Sequence, residues 1–441
     1  GRDAVMSDLP ADLDFGGETV TILCLEEEVF AREFVAAEEN GDVINDAVYH
    51  RNMAVEDALN IDLAVMTRLG NWGQHTAFMD AVKGEVLAGD TTYDIISFYA
   101  YCNPTLASEG VYMNLHELDN LNLAKPWWHQ AFVKSATVYD KLFSVSGDII
   151  LSYVSCRYGM FFNANKLAAY LPDADIYKMV DENNWTFDSF GKLIRDTYQD
   201  LNGDTKRDEA DFYGYILPRD SALAVLAGGG FQNVKPDGEG GFTLDFLNER
   251  NIRLFETLFG LAADESVYTT LDQNLNERFN NGLCIFYSHR LEKTEVLRDM
   301  KDDYGLVPIP KLDAEQESYY SLDADYGSQI SVPITVKDPA MVGAVLEKMG
   351  ELSYKMVTPA YLDTALKGKY LRDEDSARMV DLIIDGTWMD FAEINASYVG
   401  RIIKDRFLID LTADTLASHY EASKSAISSK LDELLKIYKD L

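Results

Sequence analysis

The chain has 441 residues, 47% hydrophobic and 12% aromatic, with 74 acidic against 39 basic side chains and a formal charge of −35. That length and apolar content exclude a disordered chain and favour two or three folded domains over one core. A polyanion of this size is a poor partner for nucleic acid or anionic lipid, both of which must be met by Lys and Arg; the charge serves solubility.

Residues 1–14 read as a polar N-terminal tether that includes Pro10, and Gly1 in place of a start Met points to a trimmed N-terminus. Residues 19–25, TVTILCL, have the composition of a buried strand. Asp42 is placed to cap a helix whose core face is Ile44, Ala47, Val48, Val55, Ala58 and Leu59. With a second strand at 61–67, this is the β-α-β unit of a parallel sheet. The loop 69–74 holds Trp72. A helix over 76–88 and a strand over 93–99 follow. That strand runs into Ala100-Tyr101-Cys102-Asn103-Pro104 at its carboxyl end, where ligands collect in open α/β sheets. Trp127 and Trp128 lie in a short helix or loop at 125–133.

The chain is organised around residues 141–166, KLFSVSGDIILSYVSCRYGMFFNANK. Two extended runs, 142–145 and 149–162, flank Gly147-Asp148, and the second is long for one strand. It predicts a connection that leaves one lobe and enters another. Beyond it the pattern predicts a helix over 184–200 capped by Thr186 or Asp188, then a strand over 212–217 and a helix over 249–262. A strand over 283–288 and an edge strand over 304–309, closed by prolines, complete that part. Residues 329–336 read as the return crossover, and 339–350 as a helix. In the C-terminal helix, 417–441, Ile427, Leu431, Leu434 and Tyr438 form a packing face.

Residues 200–211, DLNGDTKRDEAD, place oxygen-bearing side chains at the spacing of a calcium loop: Asp200, Asn202, Asp204, Asp208 and Asp211, with the Lys206 carbonyl between them. Thr205 stands where glycine normally makes the sharp turn, and Asp211 is shorter than the usual glutamate. The ion expected is a structural Ca2+; the bland reading is a solvated acidic turn. The four cysteines, Cys24, Cys102, Cys156 and Cys284, form no CxxC pair and read as small buried hydrophobes, with a Cys24–Cys102 or Cys156–Cys284 bridge left open.

Aromatic residues gather at strand ends and crossovers: Trp72, Tyr99, Tyr101, Trp128, Tyr158, Tyr287 and Trp388. Flat apolar faces with polar tips suit sugar rings, whose CH faces stack while their hydroxyls hydrogen-bond. Asn103, Arg157, Arg290 and Asp325 are the polar partners at the same level. For each Trp the bland reading is core packing, and for Arg157 it is an internal ion pair. No GxSxG, Walker or GxGxxG pattern occurs, and the six histidines show no metal spacing, so the residues make no case for nucleophilic catalysis or nucleotide binding.

Taken together, YDIISFYAYCNPTLASEGVYMNL, KLFSVSGDIILSYVSCRYGMFFNANKL, NWTFDSFGKLIRDTYQDLNGDTKRDEADFYG and NERFNNGLCIFYSHR with YGLVPIPK resemble the family 1 extracellular solute-binding proteins of ABC importers, the group that contains the maltose-binding protein. The resemblance implies a two-lobed type II clamshell of the periplasmic-binding-protein kind, with mixed sheets flanked by helices and strand crossovers as the hinge. The lobes expected are residues 15–150 with 325–370, and 151–324 with 371–441. It implies a monomeric, non-enzymatic binder that captures a sugar or oligosaccharide for a membrane permease. It also implies an extracellular protein lipid-anchored to a Gram-positive cell, with Arg157 and Tyr158, Tyr287 to Arg290 and Trp388 at the ligand. A secreted carbohydrate-active enzyme, or a binder of a peptide, polyamine or metal, are the alternatives.

Overall fold

The computed structural model describes residues 1–218, 221–270, 275–323, 326–400 and 413–441. Strand β1, Glu18–Leu25, is followed by the helix Val43–Leu59. Asp42 caps that helix, its carboxylate accepting from the N–H groups of Ile44 and Asn45, and Asn60 at a φ of +48° ends it. The chain can therefore turn at once into β2, Ile61–Arg68, which pairs in parallel with β1 along its whole length, Glu18 opposite Ile61 and Leu25 opposite Arg68. After the helix His75–Leu87 comes β3, Ile95–Tyr99, buried throughout and parallel to the other side of β1. The expected β-α-β unit is thus present.

The second half supplies another sheet. It is made of β4, Tyr158–Asn163, β5, Tyr213–Pro218, and, after the hairpin of β6, Val234–Pro236, and β7, Phe242–Leu244, of β8, Val267–Thr270, and β9, Cys284–Arg290, with β10, Tyr304–Val307. The spatial order is β10-β4-β9-β5-β8, with β4 antiparallel to both its neighbours and β5 parallel to both of its own. A two-residue strand β11, Ser321–Leu322, precedes β12, Ser328–Ser331. β12 returns to the first sheet antiparallel to β3, with Ser328 opposite Tyr99, so that sheet reads β12-β3-β1-β2. Last, β13, Thr387–Trp388, pairs with β11. Two mixed sheets flanked by helices make a two-lobed α/β clamshell.

A buried polar knot ties crossing segments together. Glu33, after β1, accepts the backbone N–H of Ser152 at 2.8 Å, and the Ser152 hydroxyl accepts the backbone N–H of Ser328 at 2.8 Å. Arg51 donates to the Glu33 carbonyl at 2.7 Å, to the Ser353 hydroxyl at 3.2 Å and to the Ile149 carbonyl at 3.4 Å. Residues 149–152 lie in the first crossing and Ser328 in the second, while Ser353 directly follows the helix Pro339–Leu352. Nearby, Arg32 of the first lobe meets Glu295 of the second at 3.0 Å.

The first crossing departs from the extended run expected over 149–162. Ser152–Ser155 is a helical turn, and only Tyr158–Asn163 is strand. The reason is tertiary: Glu33 fixes the Ser152 N–H, which no neighbouring strand is there to pair. Gly147 before it is forced to be glycine, because a Cβ would lie 2.1 Å from the Trp127 carbonyl oxygen. The helix expected over 184–200 is also shorter, Phe187–Ile194, capped by Thr186 in a reciprocal box with Ser189. The expected tether is docked instead. Val5, Leu9 and Leu13 pack on the first lobe, Lys125 bonds Asp8 at 2.6 Å, and Arg2 donates to the Tyr354 carbonyl. All four cysteines are free and buried, so neither bridge forms.

Tyr438 carries apolar packing between the lobes, meeting Phe143 at 5.1 Å and Phe391 at 6.3 Å between ring centroids. Beneath them Asn233 donates to Asp390 through its backbone at 2.8 Å and through its amide at 3.2 Å; the same amide donates to Glu393 at 3.1 Å. Burial, and then the Asp390 charge, push Glu393 up to about 8 from an ordinary 4.5. Burial likewise lifts Glu347 to about 7. A folded-state pKa above the unfolded one means the fold prefers the protonated acid. That stabilisation is complete below the unfolded value and is lost as pH rises through the folded one. The melting temperature is therefore expected to fall between about pH 5 and about pH 8.5, and Glu393→Gln to flatten the fall. A wild-type profile that is level or rising over that window would contradict the assignment.

Candidate ligand cleft

The carboxyl ends of β1, β2 and β3 open on one side of the first sheet, and the loops that leave them carry rings. Trp72, after β2, stacks on His75 at 4.8 Å between centroids and touches Tyr99 at 5.9 Å and Tyr101 at 5.5 Å. Tyr99 meets Phe30 edge-on at 5.2 Å and Tyr326 at 5.4 Å, and Phe30 meets Tyr326 at 5.1 Å. Tyr326 lies in the second crossing, and the Arg290 guanidinium sits over its ring at 4.5 Å. Arg290 ends β9 opposite Tyr158 in register, and the Tyr158 ring stacks on His289 at 6.0 Å. The rings therefore run from the strand ends of the first lobe, through a crossing, to the strand ends of the second. Trp72 is the most open of them, 49% exposed.

Charge along this wall is set by few groups. Glu292 pairs with Arg290 at 2.7 Å. Burial opposes the Arg290 charge, but Cys156 and Glu292 outweigh it and hold the guanidinium above its usual range. Burial, then Tyr326 and Glu27, push the Tyr99 phenol up, so both phenols along the wall stay neutral donors. Trp72, with the partly exposed Tyr101 and Tyr326, turns ring surface outward, and Tyr99, Phe30 and Tyr158 are buried behind them; such faces, with neutral hydroxyls and an anchored guanidinium, can grip a polar ring without reacting with it.

Comparison with known proteins follows the same geometry. No protein-family model matches the chain, and no curated protein matches it. Solved structures do. A cyclic alpha-maltosyl-1,6-maltose binding protein from Arthrobacter globiformis is similar at a TM-score of 0.64 and 13% identity, over 94% of this chain and 99% of that one. The maltose-binding periplasmic protein of Listeria monocytogenes, solved with maltose, is similar at 0.58 and 14%, over 96% and 97%. An ABC substrate-binding protein of the same organism, solved with cycloalternan, is similar at 0.56 and 12%, over 96% and 99%. This chain has the maltose-binding-protein fold. At such identities the likeness is one of fold, and the maltose-binding-protein fold leaves the contacts to be read from this chain's own residues.

Of the sequence-derived site residues, Trp72, Tyr101 and Arg290 fall at the outward side of this line of rings, and Tyr99 and Tyr158 belong to it but are buried. The others go elsewhere, each for a visible reason. Trp128 is core, with its indole N–H donating to Glu347 at 3.2 Å beside that of Trp127 at 3.3 Å. Asn103 is buried and spent internally, donating to the Phe98 carbonyl at 3.3 Å and accepting from the Tyr112 hydroxyl at 3.0 Å. Tyr287 is buried between Phe161 and Phe279. Trp388 is buried on Phe231, to whose carbonyl it donates at 2.5 Å. Arg157 is wholly buried; its ion pair is Asp323, at 3.6 Å, and it lies over Tyr153 at 4.7 Å. Asp325 lies outside the described residues. Sequence reasoning missed Phe30 and Tyr326.

The Asp200–Asp211 stretch lies on the second lobe between helix Phe187–Ile194 and β5. Thr205 takes a φ of +63°, the left-handed turn usually given to glycine at this place. Asp200 accepts the N–H groups of Gly203 and Thr205, Asn202 that of Asp204, and Asp204 that of Lys206. Asp211 is buried and occupied, accepting from the Tyr198 hydroxyl at 2.8 Å and the Leu201 N–H at 3.1 Å. Among the described residues no three His, Cys, Asp or Glu side chains converge as a metal-ligand set, and no helix is long and apolar enough to cross a membrane.

Proposed function

We propose that the protein captures a sugar or oligosaccharide between its lobes and delivers it to the membrane permease of an ABC importer. The observation that carries this reading is the wall of rings continuous from Trp72 to Tyr158 across a crossing. A guest that touches both strand-end surfaces does so only when the lobes shut, so it shifts the population toward the closed state. Binding without turnover is enough. The lobes are those bounded by the crossings, near residues 15–150 with 325–370 and 151–324 with 371–441. The protein acts as a monomer, outside the cell and lipid-anchored. That the neighbours in fold are named as binding proteins supports the non-enzymatic reading.

Calorimetric titration against a panel of malto-oligosaccharides, with amino acids and polyamines as controls, tests this. Saturable one-to-one binding of a saccharide is expected, with no product beyond one equivalent after prolonged incubation. Binding confined to the controls, or accumulating product, would overturn it.

Calcium in the Asp200–Asp211 loop is part of the same reading: these carboxylates do not converge as a ligand set in this structure, so Asp200, Asn202, Asp204, Asp208 and the Lys206 carbonyl would draw together on binding, with Asp211 supporting the loop from beneath. The left-handed Thr205 favours it; the occupied Asp211 carboxylate means the ion is held without the usual bidentate twelfth ligand. Chelator is expected to lower the melting temperature and added calcium to restore it. An unchanged melting temperature would remove the ion from the account.

A further inference from the structure

Residues 2–9 form a strap pinned across the first lobe. The Lys125 ammonium donates to the Met6 carbonyl at 2.9 Å and to the Asp8 carboxylate at 2.6 Å, and the Asn122 amide donates to the same carboxylate at 2.7 Å. Ser7 reaches the buried Glu351, which Lys348 and Lys355 also hold, at 2.9 Å and 2.7 Å. At the start of the strap, Arg2 lies over the Tyr354 ring at 4.5 Å, donates to the Tyr354 carbonyl at 2.9 Å and pairs with Asp148 at 3.6 Å. Burial pushes the Asp148 carboxyl up to about 6, against the Thr358 hydroxyl and then the Arg2 charge.

The residues that Arg2 holds lie where the chain leaves the first lobe. Asp148 immediately precedes the first crossing. Tyr354 belongs to the helical turn Ser353–Val357, which leads into the helix Ala360–Tyr370. The far end of that helix meets the second sheet, where the Tyr370 carbonyl accepts from the Tyr304 hydroxyl of β10 at 2.6 Å. Arg51 ties the adjoining residues Ile149 and Ser353 from within the fold; Arg2 ties Asp148 and Tyr354 from the strap. Two segments that run to the second lobe are therefore stapled together twice. We propose that the N-terminal strap restrains the hinge: with Arg2 docked the two segments move as one, and with Arg2 released each moves alone. A restrained hinge samples fewer lobe arrangements before a ligand arrives, so it loses less conformational entropy when the lobes shut. The strap in this way raises affinity without touching the guest. Its release point is Arg2, whose side chain is 39% exposed against 7% for Asp148.

One arm of the test rests on the proposed function and the other does not. Wild type and Arg2→Ala are compared by hydrogen–deuterium exchange and small-angle scattering without ligand, and by titration with maltotetraose. In the variant, exchange is expected to quicken about fivefold over residues 149–157 and 353–358, the scale of one partly exposed ion pair, and to stay unchanged in β1 and β2. The ligand-free radius of gyration should rise, and maltotetraose affinity should fall about three- to tenfold. Exchange within about twofold of wild type at both stretches overturns the proposal, as does equal quickening throughout the first lobe, the mark of a general packing role. Quickened exchange with an unchanged radius of gyration, or with affinity equal to or tighter than wild type, also overturns it. If wild type binds no saccharide, the saccharide reading fails, and exchange with the radius of gyration still decides the strap.

Discussion

Replacing Arg157 by alanine is expected to destabilise the protein by about 3–5 kcal/mol, the cost of leaving a buried charge without its partner. Arg157 sits in the first crossing and Asp323 in the second, and the two backbones also bridge there. Burial raises the Asp323 carboxyl, and only the Arg157 charge opposes that rise. At 3.6 Å the pair is electrostatic contact rather than a tight hydrogen bond, and none of the three guanidinium nitrogens has a hydrogen-bond partner. Such a pair adds little net stability, yet removing one member exposes the full desolvation cost of the other. The double variant Arg157→Met with Asp323→Leu should therefore recover most of the loss. Urea unfolding of both singles and the double measures this. Additive losses in the double would show that Arg157 acts by packing, not by charge.

Trp72→Ala is expected to weaken saccharide binding by about 30-fold, on the order of 2 kcal/mol, the scale of an aromatic anchor at a binding surface. Stability should change by no more than about 0.5 kcal/mol, since Trp72 is half-exposed and its ring contacts lie on the wall rather than in the core. That split distinguishes it from Trp128, whose loss would open a cavity and take one donor from Glu347, costing about 3–5 kcal/mol of stability. Titration and urea unfolding of the two variants side by side read both quantities. Equal binding by Trp72→Ala would move the ligand away from this wall.

The contrast between the two tryptophans shows where sequence reading stops. Both stand in loops beside apolar runs. What makes one core and the other wall is Glu347, 219 residues further on, to which Trp128 donates. Locally determined features were legible: the Asp42 cap, the turn into β2 and the buried apolar runs of β1 and β3 all follow from neighbours in sequence. The crossing was legible as a crossing but not in its shape, because its helical turn is fixed by Glu33, 119 residues away. Arg157 read equally as ligand contact or ion pair, and Asp323 opposite it decides for the pair.

The central claim is that a saccharide closes the two lobes on one another. Small-angle scattering with and without a saturating malto-oligosaccharide measures it most directly. A smaller radius of gyration with ligand, reversed by dialysis, is the result expected of a closing clamshell. An unchanged radius of gyration at demonstrated saturation would contradict it.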